Sequence, residues 1–440
     1  MKKMNTLEKI KKDNIKFISL QFSDIMGRVK NVTIPAEEAE RAFTQGIWFD
    51  GSSVEGYMRI HESDMYLKPD ESTYAVIPWL TRDEIKTARF ICDVYTPEGK
   101  PFENDPRYIL KKALKTAENM GYKYNVGAEP EFFLFKKENG IKTLFNDVGG
   151  YFDLSIDSAY EIRAEMMNAL EAFGIKGERG HHEVAPGQHE IGFRYDDALR
   201  AADNVITFKF TLKAIAQKYD LHATFMPKPM FGINGSGMHC HQSLTDLEGK
   251  NIFYDEKDAY RLSAVAKSFI EGQLKNVKGI SAVLSPIVNS YKRLVPGYEA
   301  PVYVCWARVN RSALIRLPGF TKPNAARCEL RCPDGSCNPY LAFAVMLRSG
   351  LDGIKSNLSL RAPVEENVYK FDDTKLKEKY IDTLPSSLFE AVSEMEKNKV
   401  AKETLGEEMF NKYIMIKKKE WDEYRLRVHA WELDKYLEVY

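Results

Sequence analysis

Alternating apolar and polar positions predict strands in the first hundred residues. Ile18, Leu20 and Phe22 are separated by serine and glutamine, a pattern typical of a half-buried strand. The segment 96–101, with the sequence Thr-Pro-Glu-Gly-Lys-Pro, then interrupts the pattern with residues that break regular structure. We therefore expect a small, strand-rich N-terminal domain spanning residues 1–104.

Helix-start signals and helical periodicity predict the helices of the chain. Asn5 can cap a short helix that carries Glu8 at its third position. Asp105 followed by Pro106 is a strong helix start, because an N-cap precedes proline at the first helical position. Further helices are predicted, among strands, near 159–173, 198–218, 259–277, 338–354 and 385–397. The order of elements favours an α+β class over a doubly wound parallel sheet, with a second domain at 105–440.

The composition is that of an ordinary globular protein, with 44% hydrophobic and 29% charged residues. The 63 basic residues balance the 63 acidic ones, so nucleic acid and membranes are not expected as partners. The longest apolar runs, such as 340–347, are too short to span a bilayer, and no apolar signal core follows the N-terminal lysines. Six cysteines in 440 residues do not suggest a disulfide framework. These features predict a cytoplasmic protein.

Two pairs of glutamates are predicted to lie on strand faces, where like charges repel. If Pro186-Gly187 is a two-residue turn, Glu183 faces Glu190 at about 5 Å between Cβ atoms. Glu129 and Glu131 lie two residues apart and so share one face of another strand. Solvated glutamates at strand ends are the alternative. A cluster would need a compensating cation, and carboxylate oxygens suit Mg²⁺ or Mn²⁺.

A glycine-rich loop at 228–237 leads into a predicted strand. Alternation along that strand places His239, His241 and Ser243 on one face. The loop is not a Walker loop, because no Gly-Lys-Ser/Thr follows it. A purely structural turn is one interpretation; an imidazole ligand for the same cations is the other.

Basic residues are concentrated between positions 291 and 331, where eight lysines and arginines accompany two glutamates. Salt bridges to acidic parts of the chain are the simple explanation. Arginine also recognises phosphates and carboxylates through paired hydrogen bonds. A pocket for a nucleoside triphosphate and a dicarboxylate would place arginines opposite bound metal, as phosphoryl transfer requires.

Together these segments resemble the type I glutamine synthetase family of bacteria and archaea over essentially the whole chain. The motifs that carry the resemblance are Phe49–Ser53, Lys228–Ser243, Tyr291–Pro301 and Asn310–Ser312. Only about fifty residues separate Glu131 from Glu183, which resembles the shorter subclass without the family insertion. The resemblance implies a β-grasp-like N-terminal domain and a catalytic domain built on a curved antiparallel sheet with flanking helices.

The resemblance also implies ligands for each part of the site. Two or more Mg²⁺ or Mn²⁺ ions would be bound, the first by Glu131, Glu183 and Glu190 and the second by Glu129, His239 and Glu329. ATP, a substrate, would contact Glu178, His241, Ser243, Arg311, Arg316 and Arg327. L-Glutamate would be held by Asn234, Gly235, Arg293 and Arg331, with Glu299 nearby. The implied catalytic residues are Asp50, which would deprotonate ammonium, the lid residue Glu299, and Arg311.

In this family Asp50 serves the site of a neighbouring subunit, so the resemblance implies a homo-oligomer, expected to be a dodecamer. It further implies glutamine feedback inhibition through Arg59 and leaves room for regulatory proteins. Two alternatives stay open from the sequence: a glutamate ligase for a larger amine such as a polyamine, and a non-catalytic structural or regulatory relative. Cys328, Cys332 and Cys337 are crowded near the implied glutamate site, where buried or redox-sensitive thiols are favoured over a zinc site.

Overall fold

Two β-sheets organise the chain. The computed structural model describes residues 5–54, 56, 64–81, 85–138 and 141–440. Its first strands are β1 (Ile15–Ser23), β2 (Val29–Pro35), β3 (Ile47–Asp50), β4 (Asp64–Pro69), β5 (Ala75–Val76) and β6 (Lys86–Tyr95). Within the described part of the chain they form one sheet of order β2-β1-β6-β4-β3, and β5 also pairs with β6. The β1–β6 pair is parallel and the others are antiparallel.

The prediction that β1 is half-buried is wrong, because both faces are covered from Ile18 onwards. On the polar face, Gln21 Nε2 donates to Ser19 Oγ at 3.2 Å, and both side chains are buried. Arg89, the neighbour of Ser19 on β6, is buried as well, and its guanidinium lies 5.1 Å from the ring centre of Phe173. At Arg89, the polar face of the first sheet therefore packs against Phe173, which belongs to the part of the chain after residue 104.

The second sheet is built around one long strand, β7. Its members are β7 (Tyr122–Glu138), β8 (Ile141–Phe145), β9 (Gly177–His182), β10 (Gln188–Phe193), β11 (Asp196–Asp197), β12 (Leu221–Thr224), β13 (Met238–Asp246), β14 (Tyr303–Ala307), β15 (Ala313–Arg316) and β16 (Cys328–Leu330). Their order across the sheet is β14-β15-β16-β13-β7-β10-β9, and β8, β11 and β12 also pair with β7. The sheet is antiparallel as predicted except at its edge, where β14 and β15 run parallel. The α+β class is confirmed.

Helices pack around this sheet. They are α1 (Thr6–Lys12), α2 (Ala39–Thr44), α3 (Pro106–Asn119), α4 (Tyr160–Glu171), α5 (Ala198–Lys218), α6 (Ala264–Leu284), α7 (Ser290–Arg293), α8 (Pro339–Lys355), α9 (Asp373–Glu378), α10 (Leu388–Glu396), α11 (Lys399–Leu405), α12 (Glu407–Arg425) and α13 (Ala430–Tyr436). Both predicted caps are present: Asn5 accepts from two backbone amides of α1, and Asp105 precedes Pro106 at the start of α3. None of the described helices is long and apolar enough to cross a bilayer.

Helices α6 and α8 cross at two glycines. A Cβ atom added at Gly272 would lie 2.3 Å from the carbonyl oxygen of Ser349, and one added at Gly353 would lie 2.0 Å from that of Ser268. The backbones can approach this closely only because neither position carries a side chain. The helix predicted near 259–277 in fact begins after Ser263, whose side chain accepts from the amide of Ala266.

Candidate active site

One face of the second sheet carries most of the acidic candidates. Glu131 on β7 lies directly opposite Glu190 on β10, and Glu129 lies opposite His239 on β13. On β16, the strand next to β13, Glu329 lies opposite His241. Because residues opposite one another share a face, strand register alone gathers these side chains.

The hairpin between β9 and β10 differs from the prediction. Glu183 donates its backbone N–H to the carbonyl of Gln188 at 2.7 Å, so the loop contains four residues rather than two. Glu190 therefore faces His181, not Glu183. The carboxylates still meet, because Glu183 follows His181 by two residues and projects from the same face. Ligand atoms of His181, Glu183 and Glu190 lie within 4.8 Å of one another.

All the predicted metal ligands line a single cavity of about 580 Å³. They are Glu129, Glu131, Glu183, Glu190, His239 and Glu329. The groups whose ligand atoms lie within 4.8 Å of one another differ from the two ligand sets that the family resemblance implies. Glu129 and Glu329 form one such group with His241, and Glu183 and Glu190 form another with His181. His239 Nδ1 lies 3.5 Å from Glu329 Oε1, so this imidazole also reaches the cluster.

The carboxylates of the cavity repel one another. Burial, and then the charges of Glu131 and Glu190, raise the pKa of Glu183 to about 9. Burial and the charges of Glu129 and Glu131 likewise raise the pKa of Glu190 to about 8. Such shifts mean that the ionised forms are stable only when positive charge is supplied. Clustered carboxylate oxygens with one or two imidazoles match the ligand preference of Mg²⁺ and Mn²⁺, so this donor set fits those ions.

Arginines line the same cavity, several of them in direct contact with its glutamates. Among the described residues that line it are six glutamates, the five above and Glu299, and four arginines, namely Arg179, Arg311, Arg316 and Arg331. The formal charge of this lining is −2, and two divalent ions would make it positive. Arg316 Nε donates to Glu329 Oε2 at 2.5 Å, while Arg331 Nε lies 3.4 Å from the other oxygen. Once cations are bound, the net positive charge of the cavity would attract anionic substrates.

A second cavity, of about 200 Å³, adjoins the first at Glu129 and Arg179. Four of the predicted ATP contacts line it, namely Glu178, His241, Ser243 and Arg327. The other two, Arg311 and Arg316, line the metal cavity instead. His241 Nδ1 accepts from Arg327 Nε at 3.3 Å, so Nε2 carries the proton and donates to Glu129 Oε2 at 3.2 Å.

A third, smaller cavity of about 50 Å³ holds the predicted glutamate contacts, namely Asn234, Gly235, Arg293, Glu299 and Arg331. It shares Glu131, Glu183 and His239 with the metal cavity. Arg293 is buried and donates to the carbonyl oxygens of Cys332 at 2.8 Å and Arg331 at 3.0 Å. A Cβ at Gly235 would lie 2.3 Å from the Pro227 carbonyl and 3.1 Å from Arg293 Cγ, so glycine is required there.

Of the remaining candidates, Asp50 lies outside the described lining of these cavities, Glu299 belongs to it, and Arg59 falls outside the described residues. Asp50 is exposed at the end of β3, where it accepts from the amide of Ser52, and it is not among the described residues that line the three cavities. Glu299 lines two of them and has a left-handed backbone, with φ of 57°. Arg59 falls outside the described residues, so the proposed feedback role stays a prediction.

Several lining residues were missed by the sequence analysis. Arg179 and His181 alternate with Glu183 along β9, which is the signal that would have found them. Tyr151 and Phe152 also line the metal cavity, and the Phe152 ring meets His181 edge-on at 4.9 Å between ring centres. No periodic pattern marks these aromatic residues, because they lie in a loop.

The cysteines near the small cavity are not poised for redox chemistry. Cys328, Cys332 and Cys337 are at most 1% exposed, and burial raises the pKa of each thiol to about 12. Thiolate is the reactive form, so these side chains act as small core residues.

Buried polar groups anchor the β9–β10 hairpin to the core. His182 donates from Nε2 to Asp147 Oδ1 at 2.7 Å, and Asp147 also accepts from the amide of Gly187. The neighbouring His189 accepts at Nδ1 from Arg163, which is itself paired with buried Asp157. These contacts tie both strands of the hairpin, and thus Glu183 and Glu190, to the core.

Two stretches of the chain each match a sequence profile of a known family. The sequence profile described as glutamine synthetase, catalytic domain, matches residues 103–436, and that described as glutamine synthetase, beta-Grasp domain, matches residues 14–97. The chain is 51% identical over 440 residues to glutamine synthetase of Methanosarcina mazei, spanning 99% of this chain and 98% of that one. It is 52% identical over 441 residues to glutamine synthetase of Clostridium saccharobutylicum, spanning 100% and 99%.

Solved structures show the same likeness. The structure of Plasmodium falciparum glutamine synthetase superposes with a TM-score of 0.88 at 28% identity, covering 99% of both chains. The GmaS/ADP complex superposes with a TM-score of 0.89 at 29% identity, covering 99% of this chain and 100% of that one. Both domain profiles match, the relatives are about half identical over their full length, and one sheet face gathers the acidic site; this chain belongs to the glutamine synthetase family.

Proposed function

We propose that this chain ligates ammonia to the γ-carboxylate of L-glutamate at the expense of ATP, through γ-glutamyl phosphate, giving L-glutamine, ADP and phosphate. The observation that carries the proposal is the continuity of the three cavities. The acidic cavity shares Glu129 with the one that holds the ATP contacts and Glu131 with the one that holds the glutamate contacts. A triphosphate and a dicarboxylate bound in these positions would meet at the carboxylate cluster.

The acidic side chains would hold two Mg²⁺ or Mn²⁺ ions, with Glu131, Glu183 and Glu190 at one and Glu129, His239 and Glu329 at the other. When bound, the ions would screen the repulsion between two anionic substrates and stabilise the charge of the transferring phosphoryl group. Arg311 and Arg316, which line the same cavity, would add fixed positive charge beside the phosphoryl group. Asn234, Gly235, Arg293 and Arg331 would orient L-glutamate in the small cavity.

Two carboxylates would complete the reaction. Ammonium is not a nucleophile, and Asp50 would bind it and remove a proton. Glu299 lies on the short loop between Pro296 and Pro301, where it can cover the acyl phosphate, exclude water and take the remaining proton. The presence of both carboxylates suits ammonium better than a bulky amine.

We further propose a homo-oligomer, by resemblance a dodecamer, in which Asp50 completes the site of a neighbouring subunit. Asp50 lies on the N-terminal sheet, away from the described lining of the chain's own cavities. The C-terminal segment also exposes large apolar side chains, which an assembly would bury. They are Leu426, Val428, Trp431, Leu437 and Val439, each more than 60% exposed. We also propose that the protein is cytoplasmic and that its two domains divide between residues 104 and 105.

The test is phosphate release from ATP by the full-length chain in the presence of Mg²⁺. We expect release with glutamate and ammonium together, little with glutamate alone, and little when a polyamine replaces ammonium. Glu131→Gln, which keeps the shape of the side chain, is expected to abolish it. Equal release with the polyamine would favour a ligase for larger amines, and no glutamate-dependent release would favour a non-catalytic relative.

A further inference from the structure

Arg179 lies on the wall that the metal cavity and the nucleotide cavity share. Its guanidinium donates from Nη2 to Glu129 Oε1 and, at 3.3 Å, to Glu190 Oε1. These two carboxylates belong to different proposed metal sites. The guanidinium therefore lies between the two sites and contacts one ligand of each.

The sheet is built to hold this arginine in place. Gly192 on β10 is the cross-strand partner of Arg179 on β9. A Cβ atom at Gly192 would lie 3.3 Å from Arg179 Cγ and 3.4 Å from Nε, so the aliphatic stem lies flat in the space that the glycine leaves. The side chain is nevertheless 55% exposed, so its far end can move without disturbing the core.

A guanidinium and a divalent cation compete for the same carboxylate oxygens. Arginine keeps its charge at every relevant pH, so Arg179 neutralises part of the cluster while no metal is bound. Each carboxylate oxygen keeps a second lone pair, but a metal ion bound there would lie close to the guanidinium charge, and the two cations would repel each other. Metal binding at Glu129 and Glu190 is therefore expected to displace the guanidinium.

The displaced side chain would lie beside the proposed nucleotide site. The adjoining cavity already contains Arg179 beside His241 and Arg327, and guanidinium groups form paired hydrogen bonds with phosphate oxygens. We propose that Arg179 is a positioning residue that pairs with Glu129 and Glu190 until divalent cations take these carboxylates, and that it then donates to the triphosphate. The inference rests on the proposed function, because it presupposes the metal and nucleotide sites.

Calorimetric titration of the full-length oligomer with Mn²⁺, without nucleotide, tests the first half. Arg179→Ala is expected to bind Mn²⁺ about fivefold more tightly than the unaltered protein, since one charge-assisted contact no longer competes. Arg194→Ala is the matched control, because it removes the same charge from the position just after β10, where Arg194 pairs with Glu178 at 3.5 Å. Mn²⁺ affinity that is unchanged or weaker in Arg179→Ala, or raised equally in Arg194→Ala, would overturn the proposal.

Titration of the Mn²⁺-saturated protein with a non-hydrolysable ATP analogue tests the second half. Arg179→Ala is expected to lose about tenfold in affinity for the analogue, the size of one charged hydrogen bond. Arg179→Lys should lose less, because it keeps a cation but not the paired donors. Unchanged analogue affinity in Arg179→Ala would overturn this step. Absence of Mn²⁺ binding by the unaltered protein would instead overturn the proposed function, so the two failures are distinguishable.

Discussion

Glu131 and Glu190 lie directly opposite one another on two antiparallel strands of the catalytic sheet. Like charges in this position are destabilising, and burial increases the effect. The pair is retained at a cost in stability, which bound cations would offset. The metal-free protein is therefore expected to be less stable than its hydrophobic core alone would make it.

Glu190→Gln should raise the thermal midpoint of the metal-free protein and weaken Mn²⁺ binding. The amide keeps the shape of the side chain but never ionises, so folding no longer buries a carboxyl group whose pKa burial and neighbouring charges raise to about 8; relief of about 1 kcal/mol corresponds to about 2 °C in a chain of this size. Differential scanning fluorimetry in EDTA and in Mn²⁺ measures both effects. Glu256→Gln, at an exposed loop position, is the control and should change neither. A lower midpoint in EDTA for Glu190→Gln would contradict the expectation.

Mixing two inactive variants should restore activity if subunits share their sites. Asp50→Ala keeps the proposed metal ligands, whereas Glu131→Gln keeps Asp50, the proposed ammonium base. Random reassembly of equal amounts should produce about a quarter of the unaltered activity, because one site in four combines two intact halves across a heterologous interface. The measurement is glutamine formation after dissociation and reassembly. Mixtures that stay inactive while forming full-size oligomers would place Asp50 and Glu131 in the same subunit's site.

Asp157→Asn should destabilise the fold strongly. Asp157 accepts from Arg163 Nη1 at 2.8 Å, and both side chains are at most 5% exposed. Burial alone would raise the pKa of Asp157, but the hydrogen bond and charge of Arg163 outweigh it and hold the pKa below its usual value. Removing the carboxylate leaves a buried guanidinium without its charge partner, which costs about 3–5 kcal/mol.

The pH dependence of that loss follows from the direction of the shift. Because the pKa is lowered in the folded state, the carboxylate stabilises the fold above its unfolded pKa of 3.8 and loses this effect as pH falls through the folded pKa. The difference between Asp157→Asn and the unaltered protein should thus shrink below about pH 4. Glu38→Gln, which breaks the exposed pair with Arg41, should cost at most about 1 kcal/mol. Equal losses in both variants would contradict the argument.

Gly353→Ala should destabilise the protein although alanine favours helices. The added Cβ would lie 2.0 Å from the carbonyl oxygen of Ser268 and 2.7 Å from Gly272 Cα, so two helices must separate. Overpacking of this kind costs about 1–3 kcal/mol, more than the ~1 kcal/mol gained in helix propensity. Denaturant unfolding measures the balance. Gln217→Ala on an exposed helix position should be slightly stabilising, and a similar gain at Gly353 would show that the crossing can relax.

Features that depend on short-range chemistry were predictable from the sequence. The capping residues Asn5 and Asp105 act on amides two or three positions away, so local sequence suffices to place both helix starts. The alternation that puts His239, His241 and Ser243 on one face is likewise a property of one strand, and all three line the cavities.

Features that depend on tertiary context were not predictable. The Pro186-Gly187 pair does form the centre of the turn, but sequence does not show that Glu183 pairs with Gln188 and so enlarges the loop. The polar face of β1 resembles a solvated surface because nothing in Ser19 or Gln21 indicates that the other half of the chain covers it. Alternation with Glu183 could have placed Arg179 on the acidic face, but its contact with both cavities becomes visible only once the two meet beside it.

The long strand β7 links the reaction to the architecture as a whole. It pairs with β8, β10, β11, β12 and β13, and it carries Glu129 and Glu131 at its centre. A slip of one residue along any of these pairings would turn both carboxylates to the opposite face. Evolution or engineering can therefore reshape the surrounding loops far more freely than it can relocate Glu129 and Glu131.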